Sequence, residues 1–398
     1  MVARTQPASV RAGAGISTHN DSLQAGAHAA GMAAAALQGA PVELAIVFAS
    51  GAHLAAPSAL LEGVHDAIAP QTLIGCGAGG VLASGREHES GSAVAVWTAS
   101  FGGEGDDRGV TPFHATVTED GLEHRLEGIP PLAGASGAII LADPYTFPTD
   151  GVLSELSAEA PTVSVLGGLS SARAEEGAGV LFLGERVCEE GAVGVRLDGI
   201  EMLPCVSQGA APMGREVTIT AAEGNVIHEL AGRPALETVE RIITELAPRE
   251  RALITTGLLI GLVIDGGKPE YEQGDFLVRG VIGAEPKSGR LMVGAAVAPG
   301  QVVRLHARDA NSADDDLRRA LKLRLEAMAG RPPAGALVFS CGGRGRAMFG
   351  AADHDASLVA RELGDPPAAG FFAAGEIGPV GGRSFLHGFT ATIAVFPG

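Results

Sequence analysis

Cysteine is scarce in this chain. Four occur among 398 residues, at positions 76, 188, 205 and 341, and no two form a CxxC pair. That excludes a disulfide scaffold and leaves no zinc-ribbon or iron–sulfur motif. The expected compartment is a reducing cytoplasm. Long apolar runs are missing too. The longest, Ala252–Ile264, contains two Thr and two Gly. It falls far short of the roughly 18–20 residues of a membrane span. Met1–Asn20 carries Arg4 and Arg11 but no apolar core segment, so no secretory signal is expected. Positive charge is also in short supply, with 28 basic residues against 46 acidic ones and a net charge of −18. A field of that sign repels phosphate backbones and anionic lipid, so neither nucleic acid nor membrane is an expected partner. Only Lys268, Lys287 and Lys322 are lysines, and aromatics make up 4 %.

What is present is a globular composition, 46 % hydrophobic and 19 % charged. The 58 Gly and 23 Pro have no collagen-like period and read as turns and close backbone approaches. At about 100–200 residues per domain, the length predicts two or three domains.

One pattern recurs along the chain. Leu44–Ala49 reads as a buried strand, Pro57–Ile68 as a helix and Thr72–Gly75 as a strand. A Gly-rich loop over Gly75–Gly80 and a strand at Ser92–Trp97 follow. The order returns as Gly137–Ala142, a helix around Val152–Leu156, Thr162–Leu166, glycines 167 and 168, and Gly179–Leu183. It returns again as Ala336–Ser340, a helix around Ala356–Leu363, Ala369–Ala373, the loop Gly375–Gly382, and Phe389–Phe396. Before the first copy, Met1–Asn20 reads as loose, and Asp21 or Ser22 caps a helix running to Leu37. Between the second and third, Pro204–Ile219 reads as two strands turning at Pro212. Ala235–Leu246 is an amphipathic helix, Leu253–Ala307 an antiparallel meander, and Asp314–Met328 a helix. Pro248 and Arg249-Glu-Arg251 mark a junction between domains 21–248 and 249–398. The fold class is α/β: two α/β domains with mixed sheets, built from strand–helix–strand–Gly loop–strand units.

Three segments carry candidate chemistry. Ser340-Cys-Gly-Gly-Arg344 follows a strand. The amides of Gly342, Gly343, Arg344 and Gly345 can cradle an anion there, and Arg344 offers a fork to a carboxylate or phosphate. The plain alternative is a tight turn with solvated arginines. Glu376, between glycines, can take an ammonium group or orient Arg344, or simply serve as a turn carboxylate. His387 precedes the last strand, where it is either structural or part of the site. Cys76 and Gly77 lie in the third segment, a loose relative of GxGxxG that no helix follows, so it is a weak nucleotide signal. Arg86-Glu-His-Glu89 reads as a charged loop. Hydrolase elbows, HExxH and Walker loops are absent. A thiol enzyme using Cys341 or Cys76 is the competing reading.

The run Ala336-Leu-Val-Phe-Ser-Cys-Gly-Gly-Arg-Gly345, with Phe349-Gly350, Ala369–Pro379 and Leu386-His-Gly-Phe-Thr390, resembles the C-terminal domain of the FIST family. The name stands for F-box and intracellular signal transduction proteins. Ala45–Ser50 with Leu73–Gly80 resembles the FIST N-terminal domain. The resemblance spans roughly residues 25–397. It implies a sensory module that binds a small ligand such as an amino acid, with no catalysis of its own. Its output would be a signalling partner acting in trans. No cofactor is expected from it, with haem as an alternative drawn from some bacterial members, and a protein-binding scaffold is a further reading.

Overall fold

The computed structural model describes residues 10–102, 108–120, 123–172, 180–255, 257–268, 270–271 and 273–398. They form two compact units. One takes the chain up to Val206 together with Arg318–Leu386 and Ala391–Gly398. The other takes Ser207–Leu317 and His387–Thr390.

The first unit is built from three copies of one α/β motif. Copy one has strands Leu44–Ser50, Thr72–Ala78 and Ala93–Ser100, with helix Pro57–Ile68 after the first. Copy two has Gly137–Ala142, Val165–Leu169 and Ala192–Asp198, with helix Thr149–Glu159. Copy three has Pro333–Cys341, Ala368–Ala373 and Thr390–Pro397, with helix His354–Leu363. In each, the helix carries the chain across so that first and second strands pair in parallel, while the third pairs antiparallel with the first. A further strand flanks each third strand: Arg11–Ser17, Gly109–Asp120 and Leu203–Gln208. Leu44–Ser50 and Gly137–Ala142 are buried at every position, which is why they read as continuous apolar runs rather than alternating ones.

Between its second and third strands each copy extends a β-hairpin that joins another copy's sheet. Val81–Ala83 of copy one pairs with Ala368–Ala373 of copy three. Glu376–Val380 of copy three pairs with Val165–Leu169 of copy two. Leu181–Leu183 of copy two pairs with Thr72–Ala78 of copy one. The exchange is cyclic, and equivalent backbone bonds mark it. Phe372 N donates to Gly80 O at 3.0 Å, Leu169 N to Gly375 O at 2.8 Å, and Gly77 N to Val180 O at 2.7 Å. A glycine stands at the same place in each second strand. A Cβ on Gly75, Gly167 or Gly370 would lie 2.1, 1.8 or 1.7 Å from the carbonyl oxygen of Val47, Ile140 or Val338, the partner in the first strand. No side chain fits there. One apolar cluster draws on all three copies and includes the stacked rings of Phe48 and Phe371, 5.1 Å apart.

The second unit is a closed barrel. Strands Ala210–Glu223, Val302–Arg308, Leu258–Val263, Phe276–Glu285, Arg290–Val293 and Val226–Leu230 are successive neighbours. The last of them pairs back with the first, so the ring has no open edge. Helix Ala235–Glu245 buries Ala235, Val239 and Ile242 in the barrel's apolar cluster.

Several local expectations need revising. Arg11–Ser17 is a strand, not a loose tail, while residues 1–9 lie outside the described residues. Its Ala and Gly content hides it, because both are poor strand formers. Gly13 and Gly15 are needed there: a Cβ would meet Ala33 O at 1.8 Å or Ala29 O at 2.2 Å on the neighbouring helix. Gly75 and Gly77 are strand residues, so the expected loop is shorter. Gly179 lies outside the described residues; Leu181–Leu183 belongs to an exchanged hairpin, and Ala192–Asp198 is the third strand. Pro212 sits inside a strand opposite His306, beside a register shift, and the chain breaks at Gly209 instead.

Candidate functional site

The first strand of copy three ends in Ser340 and Cys341, and the chain turns at once. Arg344 N donates to Cys341 O at 2.9 Å, closing the turn. Gly342 N donates to Ala373 O at 2.9 Å, and Gly343 N reaches Cys341 Sγ at 3.5 Å. Of the amides expected to cradle an anion, those of Gly343 and Arg344 are therefore engaged within the turn and that of Gly342 by the neighbouring strand, and the guanidinium remains as an anion-binding group.

Arg344 is folded inward and only 2 % exposed. Asp355, on the first turn of helix His354–Leu363 and fully buried, holds it in a fork. Nε lies 2.6 Å from Oδ2 and Nη2 lies 2.9 Å from Oδ1. Ser340 Oγ donates to Oδ2 at 2.7 Å, and His354 Nδ1 is 3.0 Å from Oδ1. Burial alone would push the Asp355 carboxyl up. The Arg344 charge, with the His354 and Ser340 hydrogen bonds, overrides that and holds it well below the usual carboxylate range. Burial likewise works against the Arg344 charge, and Asp355 first, then Cys341 and Glu376, outweigh it. The third nitrogen, Nη1, is buried with no hydrogen-bond partner among the described residues. The guanidinium faces the Phe349 ring at 5.2 Å, and that ring stacks on His354 with centroids 3.4 Å apart.

Glu376 opens the hairpin of copy three opposite Gly168 and is completely buried. The exchange gives its counterparts. Gly370, Gly75 and Gly167 face Leu82, Phe182 and Ile377, so the preceding hairpin residues are Val81, Leu181 and Glu376. Two copies place an apolar side chain where the third places a carboxylate.

The structure thus brings Ser340, Cys341, Gly342, Gly343 and Arg344 onto one turn, with Glu376 within electrostatic reach of Arg344. Cys76 and Gly77 stand in the second strand of copy one. Cys76 is fully buried in the shared cluster, and burial pushes its thiol up, which disfavours the thiolate a nucleophile needs. His387 ends the strand Arg383–His387, is buried, and belongs to the second unit. Sequence reasoning missed Asp355, Phe349, Glu87 and Glu89. The last two come from the hairpin of copy one, read above as a charged loop. Glu87 Oε1 accepts from Ala356 N at 2.9 Å, across 269 residues of chain, and Glu89 Oε1 from Arg346 N at 2.9 Å, across 257. Only alignment of the three copies against each other could have pointed to them.

Comparison with known proteins supplies the lineage. The FIST N domain matches residues 43–233 and the FIST C domain residues 235–379. The chain belongs to the FIST family. FIST domains are sensor domains of signalling proteins. A protein of Mycobacterium tuberculosis (strain CDC 1551 / Oshkosh), described only as uncharacterized, is 42 % identical over 388 residues, covering 97 % of this chain and 100 % of the relative. One of Mycobacterium bovis (strain ATCC BAA-935 / AF2122/97), described in the same way, is 40 % identical over 397 residues, covering 97 % and 99 %. The FIST C match runs from the barrel into copy three, so the first compact unit of this FIST protein draws on both matched domains. Among the described residues no helix is long and apolar enough to cross a membrane, and no group of three or more His, Cys, Asp or Glu is arranged to hold a metal ion.

Proposed function

We propose that this FIST protein is a sensory module that binds a small anionic or zwitterionic metabolite at the Arg344 turn, without catalysis, and signals to a protein partner in trans. The observation that carries the reading is Glu376. The shared frame is satisfied by Val81 and Leu181 at the equivalent positions, so a fully buried carboxylate is not needed to build it. Burying a charge is costly, and such departures from a consistent pattern cluster at functional sites. Arg344 Nη1 is the donor for a ligand carboxylate, pre-oriented because Asp355 fixes the rest of the fork. Glu376 takes the ammonium of a zwitterion, and Ser340 and Cys341 line the same turn. The four buried free thiols suit the reducing cytoplasm, where we place the protein.

A thermal-shift screen with amino acids, organic acids, nucleotides and haem tests this on wild type and Glu376→Leu. A ligand at 100 times its Kd adds about 2.7 kcal/mol to wild type. Glu376→Leu, which copies the sister motifs, should raise the unliganded Tm and abolish the shift. A variant that melts lower and still responds to the same ligand would remove Glu376 from the site.

A further inference from the structure

The segment over Arg344 has an unusual construction. It is a four-residue helix, Arg346–Phe349, with no buried residue. A glycine stands at each end. Gly345 has φ 74° and ψ −161°, a conformation essentially reserved for glycine, and Gly350 has φ 70° and ψ 2°. A buried, charged guanidinium is thus covered by a piece of chain that contributes almost nothing to the core. Segments with few buried contacts open at the low end of the stability scale. Among the described residues, the outside hold on this one is a single exposed carboxylate. Glu89, from the hairpin of copy one, accepts from Arg346 N at 2.9 Å, and its carboxylate lies against Gly345, where an added Cβ would be 2.8 Å from Oε2. On the inner side Phe349 faces the guanidinium and stacks on His354.

We propose that residues 345–350 form a hinged lid over Arg344, latched by Glu89 and turning on Gly345 and Gly350, through which a ligand reaches the guanidinium. The ligand's part rests on the functional reading above; the opening of the lid does not. The latch comes from the first copy and the lid from the third, so the exchanged hairpin sets how readily the site opens. The neighbouring carboxylate Glu87 supplies the control, because it caps helix His354–Leu363 and not the lid.

Hydrogen exchange of the full-length protein, read by mass spectrometry, tests the lid without any ligand. In wild type, Met348, Phe349 and Gly350 should exchange faster than the amides of His354–Leu363. Removing a capping acceptor in Glu89→Ala should speed their exchange about tenfold and leave that helix unchanged. Glu87→Ala should do the reverse. The same opening should raise the reaction rate of Cys341 with 5,5′-dithiobis(2-nitrobenzoic acid) by a similar factor in Glu89→Ala. Lid amides as protected as the helix, or a Glu89→Ala pattern identical to wild type, would overturn the proposal. Absence of any stabilising ligand would bear on the functional reading alone.

Discussion

Copies one and three share a frame and differ in what they place at its end. Val47 faces Gly75 and Val338 faces Gly370, so Ser50 and Cys341, three residues further on, are equivalent. In copy one that strand end is settled by neutral bonds. Ser50 Oγ donates to Gly91 O at 2.9 Å, and a short turn, Gly51–Ala55, leads to the helix. In copy three the same place is followed by a buried Arg344–Asp355 pair, a glycine-hinged segment and the buried Glu376. The frame closes without charge in one copy, so the charges in the other are additions to it. A neutral hydrogen bond contributes about 1 kcal/mol net, whereas a buried ion pair gains little over an apolar pair and costs much when broken.

The strongest way to break this comparison is to separate the copies. A fragment of residues 235–398 contains copy three but lacks Val81–Ala83, the hairpin strand that completes its sheet. It should show no cooperative melting by circular dichroism, although it includes the whole FIST C match. A sharp transition would mean that the exchange is dispensable. Next in size is the ion pair. Asp355→Asn keeps the shape and leaves Arg344 buried without its counter-charge, at a cost of about 3–5 kcal/mol. Ser50→Ala, at the neutral end, should cost about 1 kcal/mol. Urea midpoints of the two variants give the ratio, and equal losses would show that the ion pair adds nothing beyond the frame.

Much of that frame was legible in the sequence, because periodic apolar strands, Pro-terminated helices and glycine runs all recur. Arg344 and Glu376 stood out for the same reason, as polar residues in glycine-rich turns after buried strands. What could not be read was the hairpin exchange. Short three-residue strands such as Val81–Ala83 carry no periodicity, and pairing with the distant strand Ala368–Ala373 leaves no local trace. Asp355 was invisible for a related reason. An acidic residue in the first turn of a helix is ordinary, and only the fold turns it inward onto Arg344. The barrel was read as a meander because its closure depends on one long strand, Ala210–Glu223, with a proline inside it.

A subtler effect, spread over a pH window, contrasts two carboxylates at one helix end. Asp355 is paired and held low, whereas burial pushes the Glu87 carboxyl up to about 7. The hydrogen bond from Ala356 N opposes that, and Asp355, Glu89 and Asp353 reinforce it. Glu87 Oε2 is buried with no hydrogen-bond partner among the described residues, which fits a protonated oxygen. The signs are opposite. The Asp355 contribution is present at neutral pH and lost in acid. The folded state binds the Glu87 proton more tightly than the unfolded chain, so that contribution is full below 4.5 and lost as pH rises through about 7. Wild type should therefore lose on the order of 1–2 kcal/mol from this group across that window, with allowance for solvent screening. Glu87→Gln keeps an acceptor for Ala356 N and removes the titration, so its urea midpoint should fall less between pH 4.5 and 7. An unchanged slope would mean that Glu87 is already ionised at the helix end, and that copy one caps copy three with two charges instead of one.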